Sequence, residues 1–470
     1  MTAVFAGLLA TVLIGAFGLH GFEDASEASR GRRAPTAWIV ACAAVIALAF
    51  FAELQSIAAA ARTQVPFPPY FARLPIVPLD DRGPYFGHAP IAPTLARCTL
   101  VQTVALGAIA YLTRGAKLSR AAAFAVAAAS ALMLALAFAT PAATSFDMYA
   151  YAGSAHVAAP YHPAAVPFGG DLAVINDIYG VPISPSPYGP VMLALVKLAA
   201  GPLPTLALQL FALRALGLLA LLAALGALRS LRFPAAALAL VALNPGLILQ
   251  YVLDAHNDIV AIALALWAVA LLPRSRAAAV ALAILAGGVK LPFLIVGALA
   301  FAALPSTRAR LQSAAATLAG GVALYAILGG GAFLGALATT SRLYRAALLD
   351  PLTNALHAAV AVAAVTVVAL ALARRTFVPT GAWSFAALGA TFFAWYVPWG
   401  LPYAALERRW FAPFLVAYPA LSFVFSTTYA ASPAQAIPLA AVIALGPVAA
   451  YVALRGISLT RTPAPVPPAA

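Results

Sequence analysis

Residues 121–140 read AAAFAVAAASALMLALAFAT, with Ser130 and Thr140 as the only polar side chains and no charge. A run of about 20 apolar residues, at 1.5 Å per residue, crosses the hydrocarbon of a bilayer as one helix. Comparable runs recur at 3–19, 37–60, 91–112, 205–228, 234–251, 259–272, 276–304, 311–329, 353–373, 380–406, 410–428 and 435–454. They are continuous, without the alternation of a membrane β-barrel. Of the 470 residues, 64% are hydrophobic and 9% charged, where soluble domains carry about 25% charged residues. Mean hydropathy is +0.97. The expected fold is therefore an all-α polytopic integral membrane protein, a bundle of roughly 13 transmembrane helices.

The net charge of +14 resembles a nucleic-acid signal, but the excess sits in short loops beside spans, where positive charge holds a loop in the cytoplasm. No nucleic-acid partner is expected. Cys42 and Cys98 fall in apolar runs and read as small buried thiols. The run 3–19 lacks a basic flank and a small-residue cleavage site, so it reads as a retained helix rather than a signal peptide. The Pro- and Ala-rich end, 460–470, reads as a disordered tail.

Charge also orients the bundle. Arg30, Arg32 and Arg33, then Arg114, Lys117 and Arg120, Arg229 and Arg232, Arg274 and Arg276, and Arg374 and Arg375 occupy short loops that belong in the cytoplasm. Threading them puts 141–188 and Asp254–Asp258 on the outer face. The count then closes only if 189–200 does not cross but forms a short outer-face helix begun at Pro187-Tyr188-Gly189-Pro190. Segment 276–304, interrupted at Lys290-Leu291-Pro292, must re-enter and return, since Arg308 and Arg310 belong inside. Irregular backbone at membrane depth is tolerated only within protein or beside a cavity, so an active-site cavity is expected at the outer face. A proline-rich outer loop at 62–90 contains Asp80 and Asp81, without context that assigns it a role.

Asp147, in Ser145-Phe146-Asp147-Met148-Tyr149-Ala150-Tyr151, follows the 121–140 span directly. It opens a loop, 141–188, that has no Lys or Arg but holds Asp147, Asp171 and Asp177. A carboxylate at the lip of a membrane helix with no cation nearby in sequence reads as a base facing a polar substrate. The plainer alternative is a snorkelling helix-end residue, but an Asp is short for that. If the segment is helical, Asp147 and Tyr151 share a face.

Four strongly polar residues stand between two apolar runs at Asp254-Ala255-His256-Asn257-Asp258. An ordinary turn with Asp258 as N-cap accounts for one of them. His256 and Asn257 are candidates to hydrogen-bond sugar hydroxyls, and the helix start beyond them favours an anion. Lys290 lies about 14 residues, roughly 20 Å, into its segment. At that depth a lysine costs about 2.5–3.5 kcal/mol, so it needs a phosphate, a water-filled cavity or a carboxylate such as Asp147 or Asp258. Arg342 and Arg345, three apart on one helical face, either snorkel to headgroups or bind a lipid-linked phosphate. Trp395-Tyr396-Val397-Pro398-Trp399 reads first as an interfacial aromatic belt and second as a sugar-stacking surface. Walker A, dinucleotide-binding, His/Cys metal and serine-elbow motifs are absent. Asp80-Asp81 is the nearest approach to a DxD metal motif, so no metal or other cofactor is expected.

These pieces occur in a familiar order. Phe146-Asp147-Met148-Tyr149-Ala150-Tyr151, Pro160-Tyr161, Ser186-Pro187-Tyr188-Gly189-Pro190, Asn244-Pro245, His256-Asn257-Asp258, Val289-Lys290-Leu291-Pro292 and Trp395-Tyr396 with Trp399 give a chain that resembles the GT-C glycosyltransferases. It looks most like the polyprenol-phosphate-mannose-dependent α-1,6-mannosyltransferases. The resemblance implies a catalytic core at 121–406, preceded by added helices and an outer loop at 1–120 and followed by further helices at 407–459. It implies a polyprenyl-phosphate-linked sugar donor, with mannose as the sugar by this likeness alone, a glycan or lipid-linked acceptor, and membrane lipid as surroundings. It implies a bacterial inner-membrane setting, with Asp147 as general base and Tyr149, Tyr151, Tyr161, Tyr188, His256, Asn257, Asp258, Lys290, Arg342, Arg345, Trp395 and Tyr396 as substrate-binding residues. Where relatives commonly have a Gly-rich stretch before Asn-Pro-Tyr, this chain has Ala158-Ala159-Pro160-Tyr161-His162-Pro163, a departure that bears on acceptor choice. The competing class is a transporter or flippase for a lipid-linked or polar solute, whose polar residues would reach both faces.

Overall fold

The computed structural model describes residues 33–64, 92–140, 145, 147–163, 167–179, 181–182, 184–347, 394–406, 408 and 411–429. The expected spans at 3–19, 353–373 and 435–454, most of the first half of 380–406, Asp80, Asp81 and the tail lie outside the described residues. Helices α1 (Thr36–Gln64), α2 (Ala92–Leu112) and α3 (Arg120–Ala139) are followed by the short helices α4 (Asp147–His156), α5 (Ala173–Tyr179) and α6 (Pro190–Ala199). Then come α7 (Leu206–Ser230), α8 (Ala235–Ala242), α9 (Pro245–Ile248), a π-helical turn (Leu249–Leu253) and α10 (Asp258–Leu271). The remainder is α11 (Arg276–Val289), α12 (Phe293–Ala300), α13 (Thr307–Leu328), α14 (Gly330–Ala347), a 3-10 helix (Ala394–Gly400), α15 (Leu401–Leu406) and α16 (Phe411–Tyr429). There is no strand among the described residues, only an isolated bridge between Arg33 and Lys117. Five of these helices are long and apolar enough to cross a membrane, or six if the bent pair Ala235–Ala242 and Pro245–Leu253 is one span. The architecture is that of a polytopic all-α membrane protein.

Two spans differ from expectation for local reasons. The run 234–251 is not straight but bends by 51° at Asn244-Pro245. Proline lacks the N–H for the helical ladder and drives the residue before it out of the α region; Asn244 has ψ 109°. Its side chain turns this into a fixed joint, with Oδ1 accepting from Leu247 N and Nδ2 donating to Leu415 O at 2.8 Å. The run 259–272 becomes the 14-residue α10, about 21 Å long, short of a perpendicular crossing. The stretch 141–188 is likewise not a plain loop, since α4 and α5 lie within it.

Segment 276–304 doubles back. A Cβ added at Gly297 would stand 2.7 Å from Ala283 Cβ, and one added at Gly287 would stand 2.1 Å from Leu294 Cδ2. Pairs 283/297 and 287/294 describe an antiparallel hairpin with Lys290 at its tip. Other contacts fix which chain ends meet. Arg33 and Lys117 join the starts of α1 and α3. Arg214, early in α7, donates to Phe138 O at the end of α3, so α7 runs back and delivers Arg229 and Arg232 to the end where α3 began. Gly189 N donates to Val289 O, and Tyr325 Oη donates to Gly287 O, so the hairpin tip lies with the start of α6 and the end of α13. The described basic ends at Arg33, Lys117, Arg229 and Arg232 thus collect at one end of the bundle and Asp147, Asp254–Asp258 and Lys290 at the other. Helix α6, ten residues long, starts and finishes at that polar end.

Candidate active site

Asp147 is the first residue of α4. Its backbone N–H donates to Ser145 Oγ at 3.1 Å, and the positive end of the helix favours its carboxylate. Asp147 Oδ2 stands 3.2 Å from His256 Nδ1, with the Asp side chain 27% exposed and the His side chain fully buried. Burial pushes the Asp147 carboxyl up, but hydrogen bonding and charge from His256, the charge of Lys290 and the Ser145 hydroxyl outweigh it. The balance holds the group below the ordinary carboxylate value.

His256 reaches this position because the chain turns sharply after the π-helical turn. Asp254 N donates to Leu249 O, His256 N donates to Gln250 O, and Ala255 adopts φ +53°, a left-handed conformation uncommon for a residue with a Cβ. Neither Asn257 nor Asp258 caps α10. Asn257 occupies the cap position without a side-chain cap bond, and Asp258 is the first helical residue. The plainer alternative, Asp258 as an N-cap, is therefore not what the structure has. Asp258 Oδ1 instead accepts from Lys290 Nζ at 2.8 Å and from Trp399 Nε1 at 2.6 Å. Asp258 Oδ2 and the Asn257 side-chain Nδ2 and Oδ1 are buried with no hydrogen-bond partner among the described residues.

Lys290 ends α11 and has found the carboxylate its depth required: the partner is Asp258. Its ammonium lies 4.0 Å from the centre of the Tyr396 ring and 5.4 Å from that of Trp399. Trp399 is buried between Asp258 and Phe293, whose ring centroid is 5.3 Å away. This residue is no interfacial belt.

The other expected site residues divide. Tyr151 shares the Asp147 face of α4; its Oη accepts from Asn257 N at 3.3 Å, and its ring meets Tyr188 edge-on at 4.8 Å. Burial, then the charges of Asp147 and Asp258, hold the Tyr151 phenol well above its usual value, so it remains a neutral hydroxyl. Tyr161 donates to Tyr188 O at 3.2 Å and packs on Phe333, one step further out. Tyr149 is fully buried and turns toward the charge of Arg214 rather than to the Asp147 side. Arg342 and Arg345 fall on the last turns of α14; their side chains and that of Trp395 lie outside the described residues.

Three contributors are not among the expected site residues. Arg214, buried in α7, donates from Nε to Leu253 O at 2.9 Å and from Nη1 to Phe138 O at 3.1 Å. A lone arginine inside an apolar run was its available signal. Trp399 stood in the aromatic cluster, three residues after Tyr396, and that spacing was the signal for a shared lysine. Tyr325 holds Gly287 O, and nothing in its sequence neighbourhood announces this.

The geometry is that of a buried polar cluster in which the Asp147 carboxylate and, to a lesser degree, the Lys290 ammonium reach the surface. Residues 79–307 match the family model described as Alpha-(1->6)-mannopyranosyltransferase, N-terminal domain. The matched stretch, just under half of the chain, contains Asp147, His256, Asp258 and Lys290 and stops before Tyr396 and Trp399. That stretch is similar to the N-terminal domain of this mannosyltransferase family, a family of glycosyltransferases, and the apolar helices are those of an integral membrane protein. No curated protein and no solved structure matches the chain.

Proposed function

We propose that the protein transfers mannose from a polyprenyl-phosphate donor to a hydroxyl of a glycan or lipid-linked acceptor, with inversion and with Asp147 as general base. The observation that carries this reading is the exposure difference within the Asp147–His256 pair. Only the carboxylate is open to an incoming hydroxyl. His256, behind it, steadies its orientation and its charge.

The acceptor oxygen attacks the anomeric carbon as the bond from that carbon to the phosphate oxygen breaks. The acceptor proton passes to Asp147, and the donor leaves as polyprenyl phosphate with one more negative charge than it had in the diester. A carboxylate held below the usual range is a modest base, but it is always ionised. The acceptor proton becomes acidic only as its oxygen bonds to carbon, so a modest base suffices. Lys290 offsets the charge that grows on the phosphate. Asn257, with buried donor and acceptor groups that no protein atom among the described residues uses, is suited to sugar hydroxyls, with Tyr151 and Tyr188 beside it. Arg342 and Arg345 are further candidates for the lipid phosphate.

The segregation of basic loops to one end supports an active site on the extracytoplasmic face of a bacterial inner membrane. It also supports the hairpin at Lys290 as a re-entrant segment in a bundle of roughly 13 spans whose catalytic core is 121–406. A transporter would need polar residues reaching both ends of the bundle, which this segregation does not favour.

The test is a transfer assay with purified protein in lipid. Radiolabelled polyprenyl-phosphate mannose and GDP-mannose are compared, with a membrane glycan extract as acceptor. Label moving from the lipid donor alone supports the reading, whereas label moving from the nucleotide sugar alone overturns it.

A further inference from the structure

We propose that Asp258 is a positioning residue for Lys290, keeping its ammonium charged and aimed over the Tyr396 ring, rather than a ligand for sugar hydroxyls. This rests on the reading of Lys290 as the partner of the donor phosphate.

The geometry singles out one oxygen. Asp258 Oδ1 accepts from both Lys290 Nζ at 2.8 Å and Trp399 Nε1 at 2.6 Å. The indole is a donor only, so it fixes that oxygen without competing for a proton. Asp258 itself is fully buried, while Lys290 is 13% exposed. The pair therefore points its cation, not its anion, toward the open side.

An ammonium set against Tyr396 and Trp399 has little water. Without a counter-ion, desolvation favours the neutral amine, and a neutral amine does not stabilise a phosphate gaining charge. Among the described residues, the other charged and titratable groups near Lys290 are few. The Asp147 charge on α4 is felt across the site, and His256 lies beyond it. Tyr396 underlies the ammonium. From α13, Tyr325 is bonded to Gly287 O, and on α6 the ionisable side chain, Lys197, is exposed. Asp258 is the anion in direct contact with Lys290.

The test is the pH profile of kcat/KM for polyprenyl-phosphate mannose, measured on the full-length protein in lipid from about pH 6 to about pH 11, a range that spans the usual lysine value. Asp258→Asn keeps an acceptor oxygen for Lys290 and Trp399 and removes only the charge. Its alkaline limb is expected to move down by about one pH unit or more, a loss of about fivefold or more at the midpoint of the wild-type limb. The double variant Asp258→Asn/Lys290→Arg should show no such displacement, because a guanidinium does not deprotonate in this range. Asp258→Glu should restore part of the limb. If Asp258→Asn does not fold, Trp399→Phe loosens the same oxygen while keeping a ring, and a smaller shift of the same sign is expected. A rate lowered equally at every pH, or a shift that persists in the arginine background, overturns the proposal. Lys290→Met with wild-type kcat and donor KM would instead overturn the reading of Lys290 on which it rests.

Discussion

Asp147 and His256 face each other at 3.2 Å, and the member of the pair that reaches solvent is the carboxylate, 27% exposed against none for the imidazole. An Asp–His pair is more familiar with the imidazole doing the proton transfer and the carboxylate orienting it. Under the proposed mechanism burial reverses the roles, because a substrate hydroxyl can approach Asp147 without displacing the wall of the bundle.

That reversal makes Asp147→Asn the sharpest single change. Positioned general bases contribute about 10²–10⁴-fold, so transfer should fall within that range. The amide keeps the shape of the first residue of α4, so the thermal unfolding midpoint should change little. A radiolabel assay paired with a melting curve checks both. Transfer within about threefold of wild type, far short of such a contribution, would remove Asp147 from the mechanism.

The pH behaviour has a definite sign. The folded Asp147 carboxyl lies below its unfolded value of 3.8. The stability it supplies is fully present above that value and is lost as pH falls through the lower folded one. An acid limb due to Asp147 therefore belongs below 3.8. His256 leads the groups that counter the effect of burial, so His256→Gln should move that limb upward. A limb that stays in place when His256 is replaced would mean that another group sets the ionisation of Asp147.

Arg214 predicts a stability effect with a functional echo. It ties Phe138 O to Leu253 O, the carbonyl just before the Asp254–Asp258 turn. Hydrogen bonds to charged groups contribute about 1.5–3 kcal/mol each. Arg214→Met, which loses both, should cost about 3–5 kcal/mol, read by denaturant unfolding in detergent. Arg214→Lys should recover only part of this, since an ammonium lacks the fork that spans two carbonyls. Full stability in the methionine variant would mean that packing, not the two bonds, holds this corner.

Much of this architecture was legible in the sequence because apolar length and basic loops are local signals. Residues 121–140 announced α3, and the basic residues of 114–120 and 229–232 announced the shared end. The break at Lys290 was legible too, since a lysine followed by a proline two residues on interrupts both the apolar surface and the hydrogen-bond ladder of a spanning helix. What was not legible depends on residues far apart in the chain. An N-cap was the plainer alternative for Asp258 because capping is judged from neighbours three residues away, whereas its partners are Lys290 and Trp399. Tyr149 was expected beside the substrate because it lies in one short motif with Asp147, but two positions along a helix turn a side chain about 200° away. Tyr325 offered no local anomaly at all.

The last prediction concerns the joint between α6 and the hairpin. Gly189 N donates to Val289 O, and the two strands of chain approach so closely that a Cβ at Gly189 would lie 2.0 Å from Gly288 O and 2.6 Å from Tyr325 Oη. The nearer obstacle is backbone, which cannot swing aside as a side-chain tip does. Gly189→Ala should therefore push the hairpin tip away from α6, destabilise the protein by about 3 kcal/mol or more, and displace Lys290 from Tyr396. Gly335→Ala is the control. That glycine lies within α14 with nothing within 4 Å of the added carbon, so alanine should stabilise by about 0.5–1 kcal/mol. Melting curves of the two variants should separate in opposite directions from wild type. Coincident curves would mean that the contact at Gly189 is relieved by a shift the fold tolerates.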